Sequence, residues 1–231
     1  MSILDFLFPG LSCLGCRTEL NGTKHLCTKC LAELPHNKKP VTLKSPEKQY
    51  FHDAFAPFKY LDPIVGVILS LKYGSTSEAA EFLAPHMADA LQGISSFKNP
   101  RPAGTPFTKG GIFCPENTIL VPVPLHKNRQ STRGYNQTLL LAKSISKILG
   151  FPVSQSLVRP KQTKIHRNMS ARQRTENIRD AFAVTGGEEI ANKTVILIDD
   201  VFTTGATVNE CARTLLHSGV RRIYVLTAAQ V

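Results

Sequence analysis

Short, dense apolar runs alternate along this chain with stretches whose apolar residues recur every third or fourth position, which is the pattern of strands joined by helices. The runs are Thr118-Ile119-Leu120-Val121, Val195-Ile196-Leu197-Ile198 and Ile223-Tyr224-Val225-Leu226. Runs that are apolar on successive residues and rich in β-branched side chains suit strands covered on both faces, as in a parallel sheet. The aromatic-rich segment from Tyr50 to Leu61 adds a strand or a strand pair. Helical spacing appears at Ile64, Val65, Ile68, Leu69 and Leu71, with Asp62-Pro63 in the cap and first-turn positions and Gly74 at the end. A Ser75-x-x-Glu78 capping pattern opens a second helix toward Leu91. A third helix should bury Leu139, Leu140, Ala142, Ile145, Ile148 and Leu149, and a fourth runs from Val208 to Leu216. The expected fold class is α/β, a parallel sheet flanked by helices.

Between these elements the chain changes character. Residues 35–48 are polar and interrupted by proline, which fits a linker and suggests an N-terminal module at 1–48 and a main domain at 49–231. Residues 95–117 hold prolines and glycines with little periodicity and read as an irregular excursion. Pro122-Val123-Pro124 cannot continue a central sheet, so the chain should leave it there. The Met1–Gly10 opening is apolar but short, contains Asp5 and lacks a basic start, so it does not read as a signal peptide. No apolar run approaches the ~18 residues that span a bilayer, and a cytoplasmic location without membrane insertion is the expectation.

The most informative chemistry lies where the second apolar run ends, at Asp199-Asp200-Val201-Phe202-Thr203-Thr204-Gly205-Ala206-Thr207. A turn of small, hydroxyl-bearing residues delivers free backbone N–H groups to a helix N-terminus, a geometry that binds phosphate. Two adjacent carboxylates would repel that phosphate but suit hydroxyl groups. A ligand with a phosphate at one end and a diol a few ångströms away is a ribose 5-phosphate. The stretch resembles the phosphoribosyl pyrophosphate (PRPP) motif of type I phosphoribosyltransferases. That resemblance implies that Asp199 and Asp200 contact the ribose hydroxyls while Thr203, Thr204, Gly205, Ala206 and Thr207 hold the 5-phosphate. A strand-to-helix turn with an acidic, threonine-rich cap is the plainer alternative.

Charge sharpens the picture. The net charge of +11 arises within residues 127–179, which carry twelve Lys/Arg and one acid, Glu176; elsewhere sixteen basic and sixteen acidic residues cancel. A localised basic field draws a polyanion, either a diphosphate or a nucleic-acid backbone, although a solvated basic face would have the same composition. The loop after the Pro-Val-Pro segment should share a crevice with the Asp199 turn, because parallel sheets bind ligands beyond the carboxyl ends of their strands. Arg129 and Arg133 in that loop have the charge and spacing to meet a diphosphate. The basic stretch of residues 159–179, with Lys164 and Arg172, reads as a loop able to close over an anion. Lys72 sits in the last turn of its helix, where a cation is also favourable without any function. Aromatic residues are scarce in this basic region, so nucleic-acid affinity there should be mainly electrostatic.

Cys13-Leu14-Gly15-Cys16 and Cys27-Thr28-Lys29-Cys30 form two C-x-x-C pairs ten residues apart, the spacing of a four-thiolate structural Zn²⁺ site. Four sulfur ligands leave no open position for catalysis. Gly15 would give the first turn conformational room. His25 reads as a loop histidine, and Cys114 and Cys211 as ordinary small residues.

Together the double C-x-x-C, the Val121-Pro122-Val123-Pro124 and Arg133-Gly134-Tyr135-Asn136-Gln137 block, and the PRPP-like stretch resemble the ComF family of competence proteins. The resemblance implies a type I phosphoribosyltransferase-like sheet behind a small zinc-ribbon or zinc-finger module. It also implies PRPP binding with Mg²⁺, and Lys72, Lys164 and Arg172 as pyrophosphate or flexible-loop contacts; if the chain is an enzyme, Arg129 and Arg133 are the expected catalytic residues, stabilising the charge of the departing pyrophosphate. The family is connected with natural transformation, so single-stranded DNA reaching residues 127–179 and other DNA-uptake proteins are expected partners. Whether the chain catalyses phosphoribosyl transfer, as in nucleotide salvage, or serves as a PRPP sensor or DNA-binding adaptor stays open at this level.

Overall fold

A computed structural model describes residues 12–20, 23–38, 41, 48–74, 76–96, 113–126, 133–161 and 176–231. In chain order the elements are α1 (Thr28–Ala32), β1 (Asp53–Phe55), β2 (Phe58–Lys59), α2 (Ile64–Tyr73), α3 (Thr76–Ser96), β3 (Thr118–Pro122), α4 (Gln137–Leu149), β4 (Leu157–Val158), β5 (Ala183–Val184), β6 (Thr194–Phe202), α5 (Ala206–His217) and β7 (Arg222–Gln230). The main sheet is parallel, in the order β1-β7-β6-β3, with β2 continuing along the same edge of β7 as β1. On its outer side β3 makes a parallel bridge, Leu120 to Val153. β4 and β5 form a separate antiparallel pair at the two ends of the 159–182 excursion.

Strand alternation sorts the buried residues into two layers even though the runs are apolar throughout. Ile196 and Ile198 of β6 and Tyr224, Leu226 and Ala228 of β7 join one core with residues of α2, α3 and α4. Val195 and Leu197, with Ile223 and Val225, join the other with α5 residues Val208, Cys211, Ala212 and Leu215. Covering both faces is what a parallel sheet of such strands requires.

Several local expectations are corrected. Asp62 does not cap α2; Pro63 holds the N-cap position and the helix starts at Ile64. Ser75 lies outside the described residues. On α4 the buried side chains are Gln137, Thr138, Leu141, Ala142, Ile145 and Leu149, while Ile148 is 48% exposed. The inward stripe therefore runs through Leu141 and not through Leu139 and Ile148. Both long strands outrun their apolar cores: β6 and β7 each span nine residues, paired in register from Thr194–Arg222 to Phe202–Gln230.

The cysteine segment packs directly on this core, with Leu14 and Leu26 in the same buried cluster as Ile64, Val67 and Ile68. Gly66 of α2 presses so closely on the segment that a Cβ there would stand 2.1 Å from the Gly15 carbonyl oxygen. A Cβ on Gly15 would meet Pro63 Cβ at 2.6 Å and Cys30 Sγ at 3.2 Å. Gly15 is thus required by close approach and not, as its place in a turn suggested, by conformational freedom.

Candidate phosphoribosyl site and cysteine cluster

The long reach of β6 determines where its acids sit. Asp199 and Asp200 are strand residues, so successive side chains leave the backbone in different directions. Asp200, 7% exposed, belongs with the α2–α4 side, where Lys72 Nζ lies 3.0 Å from Oδ2 and Gln137 Nε2 donates to the same oxygen at 3.1 Å. Asp199 Oδ1 accepts the Asp200 N–H at 2.8 Å, and its charge is felt by the buried Cys211 thiol of α5. Burial and the neighbouring Asp200 carboxylate push the Asp199 carboxyl up to about 7, against the pull of Lys72 and Arg159. The register of β6 with β7 skips Asp200, and past it Val201 packs against the α2–α4 core while Phe202 enters the other.

Thr203 is exposed, Gly205 takes φ +84°, and α5 begins at Ala206, so Ala206 and Thr207 belong to its first turn. Only glycine adopts that left-handed conformation without strain. The first amides of α5 have no carbonyl four residues back within the helix, which leaves them for a ligand, solvent or a cap. Thr204 Oγ1 approaches Ala206 N at 3.4 Å, a weak cap.

Arg133 is brought to the same place through a bridge. It donates to Gln137 Oε1 at 3.0 Å and to Tyr73 Oη at 3.1 Å, with its guanidinium 4.9 Å from the Tyr73 ring centre. Gln137 therefore links Arg133 to Asp200, and Lys72 closes the array from the end of α2. Tyr135 Oη secures the same helix end by donating to the Leu71 carbonyl at 3.2 Å. Arg129, Lys164 and Arg172 lie outside the described residues.

Two residues that sequence reasoning did not single out belong here. Gln137 is buried between Arg133 and Asp200, a role that only the meeting of α4 with β6 reveals. Arg159, just past β4, lies over the Phe182 ring at 5.3 Å, acts electrostatically on Asp199, and lines a cavity of about 480 Å³ with Pro122, Pro124, Asn136 and Gln155. That cavity adjoins the end of β6, since Val123 N donates to the Ile198 carbonyl at 2.9 Å.

The four cysteines converge as their spacing implied. Their sulfur atoms all lie within 4.8 Å of one another, Cys16 and Cys27 at 3.7 Å. Zn–S bonds of 2.3 Å in a tetrahedron put sulfurs about 3.8 Å apart, so the cluster fits a Zn²⁺ ion with slight contraction. Thr18 hydrogen bonds hold the Cys16 thiol down at about 6, a backbone N–H at Cys30 lowers Cys27, and burial raises Cys30. The Cys27 N–H also donates to Cys13 Sγ at 3.3 Å. These are residues that could hold a metal such as zinc. Among the described residues no helix is long and apolar enough to cross a membrane.

A parallel sheet covered on both faces, with an acidic strand end running through a left-handed glycine into a helix, is a phosphoribosyltransferase-like fold. The family model for the phosphoribosyl transferase domain matches residues 136–230, from the N-cap of α4 to the end of β7. The chain is 41% identical over 108 residues to Competence protein F of Haemophilus influenzae, a match covering 46% of this chain and 47% of that protein. It is 34% identical over 109 residues to Competence protein ComFC of Bacillus subtilis, covering 47% of this chain and 42% of that one. A match at 27% identity over 214 residues, 92% of this chain and 87% of the other, joins it to DNA utilization protein YhgH of Escherichia coli. The chain is thus similar to the ComF competence proteins and spans about half the length of those it matches at 34–41% identity.

Proposed function

We propose that this protein binds PRPP at the carboxyl end of β6. The observation that carries the reading is the convergence of Asp199, Asp200, Lys72, Gln137 and Arg133 beside the Gly205 turn. A carboxylate has roughly four lone-pair sites. Asp200 uses two on Lys72 and Gln137 and retains capacity for a hydroxyl donor; Asp199 uses one on the Asp200 amide. The ribose diol approaches both from beyond the strand end, and the 5-phosphate takes the N–H groups of Thr203–Thr207. The diphosphate meets Arg133 and Lys72, with Arg129, Lys164, Arg172 and Arg159 as further cations. Mg²⁺, held chiefly by ligand oxygens, would offset charge on the departing diphosphate.

In a transfer reaction the anomeric C–O bond to diphosphate breaks as an acceptor bonds to that carbon, and the cationic array stabilises the leaving group. A role in DNA handling, with single-stranded DNA on the basic 127–179 segment, is supported by the relatives' names, competence and DNA utilization. The concentration of the whole charge excess there favours, as a second reading, a PRPP-sensing adaptor without catalysis. Zn²⁺ in the cysteine cluster would be structural, and free thiolates suit a reducing, cytoplasmic setting.

Calorimetry tests the pocket: Asp199→Ala and Asp200→Ala should each weaken PRPP binding, and equal binding by wild type and the double variant refutes the assignment. Pyrophosphate release from PRPP and Mg²⁺ with candidate bases then separates transferase from sensor.

A further inference from the structure

Beside α5 and the start of β1 lies a second cavity, of about 490 Å³, lined by Lys48, Tyr50, Phe51, His52, Leu216 and His217. It lies where β1 and β7 begin and α5 ends. Its His217 edge lies at the far end of the twelve-residue α5, about 18 Å from the Gly205 turn, while Lys48 and Tyr50 are tied to Asn209 in the first turn of that helix. Its volume falls within the range of roughly 300–1,000 Å³ that holds small organic ligands.

The lining is built, not casual. The Tyr50 N–H donates to Asn209 Oδ1 at 2.8 Å and Asn209 Nδ2 donates to the Lys48 carbonyl at 3.0 Å, so the buried α5 asparagine clamps the backbone that presents Tyr50. Gln49 Nε2 donates to the Phe51 carbonyl at 2.9 Å, which holds the turn on the other side. Phe51 is buried against Phe202, whereas Tyr50 is half-buried and keeps surface on the cavity.

The chemistry combines a flat aromatic surface with positive and hydrogen-bonding groups. Lys48 Nζ lies 5.7 Å from the Tyr50 ring centre. His52 Nδ1 accepts the Ile223 N–H at 3.4 Å, which assigns the ring proton to Nε2 as a donor. His217 Nδ1 must donate to the Arg213 carbonyl at 2.7 Å. His52 also stacks near Tyr224, 5.6 Å between rings. A planar ring fits against Tyr50, and an anionic group fits beside Lys48 and His52. Aromatic stacking paired with a cation is the combination that holds a nucleobase together with its phosphate.

We propose that this cavity is a nucleotide subsite, with the base stacked on Tyr50 and its phosphate beside Lys48 and His52. The same chemistry is presented by a free mononucleotide and by one unit of a single strand, and it does not depend on PRPP binding at β6. The test uses the full-length protein with thymidine 5′-monophosphate, a (dT)20 oligomer and an abasic oligomer of equal length, measured by calorimetry and fluorescence anisotropy. Tyr50→Ala should weaken the base-bearing ligands about tenfold. Tyr50→Phe should not, and the abasic oligomer should be indifferent to both. Loss for the mononucleotide identifies a free-nucleotide site; loss for (dT)20 alone identifies a strand subsite. As a check independent of variant folding, a 5-bromodeoxyuridine oligomer irradiated with wild type should cross-link within residues 48–52. PRPP affinity should be unchanged in Tyr50→Ala, which separates this site from the one at β6. The proposal is overturned if wild type binds neither base-bearing ligand, or if Tyr50→Ala binds both as wild type does, with cross-links elsewhere.

Discussion

The ion pair between Lys72 and Asp200 permits a quantitative test of how the candidate site is held together. Their side chains are 21% and 10% exposed, so the pair sits between two regimes. Exposed pairs contribute about 0–1 kcal/mol, while breaking a fully buried one costs about 3–5 kcal/mol because a charge is left stranded. Lysine's partial exposure and the remaining Gln137 hydrogen bond reduce the cost of Lys72→Met to about 2 kcal/mol. With a urea m value of about 2 kcal/mol/M, the unfolding midpoint should fall by about 1 M. Asp200→Asn removes the same attraction, so the double variant should be less damaged than the sum, with a coupling of about 1.5 kcal/mol. Four urea curves with a common m value measure this. Additivity within about 0.5 kcal/mol would refute the pairing, and a midpoint insensitive to Lys72→Met would refute the burial argument as well.

The other predictions need less development. Purified protein should contain one zinc per chain by elemental analysis and lose it on Cys27→Ser; a metal-free native protein would refute the cluster assignment. Gly66→Ala forces a methyl group into the Gly15 carbonyl, so it should lower stability by at least about 1–3 kcal/mol, and an unchanged melting temperature would show that the cysteine segment does not press on α2 as described. Asp199, usually titrating near 4 but raised to about 7, holds a proton in the folded chain that the unfolded chain has lost. Its contribution to stability is therefore full below about pH 4, is lost as pH rises to about 7 and is level above, and Asp199→Asn should remove this slope from a melting series. Since hydroxyl donors prefer the ionised acid, PRPP affinity should also rise with pH through about 7 in wild type but not in that variant.

What could be read without coordinates is what local pattern encodes. The strands β3, β6 and β7 and the cysteine cluster follow from periodicity and spacing, because a buried strand must be apolar and a four-thiolate site must bring its pairs together, whereas the short β4–β5 pair has no such signal. The inward face of α4 is not legible in the sequence because every residue from Leu139 to Ala142 is apolar, which leaves helical phase to be settled by packing on β3 and β6. The partners of Asp200 were invisible for another reason: Lys72 and Gln137 stand 128 and 63 positions away, and only the meeting of α2 and α4 over β6 joins them. Arg159 and Tyr50 share that limitation, since neither sits in a recognisable motif and both gain meaning from elements elsewhere in the chain.

The paired acids show how adjacency in sequence and in space diverge. Two neighbours on a strand cannot face the same way, so Asp199 and Asp200 acquire separate environments despite matching as one motif. Asp200 receives a lysine and an amide, which fix its orientation in a largely buried setting. Asp199, turned toward α5 and raised in pKa by burial and by Asp200 itself, is the member whose charge depends on its surroundings. A ligand diol approaching the strand end thus meets one acid already paired with Lys72 and Gln137 and another whose ionisation its hydroxyl donors favour. The asymmetry makes Asp199 the residue through which PRPP binding should couple to proton release, and Asp200 the residue through which it should couple to the position of α2.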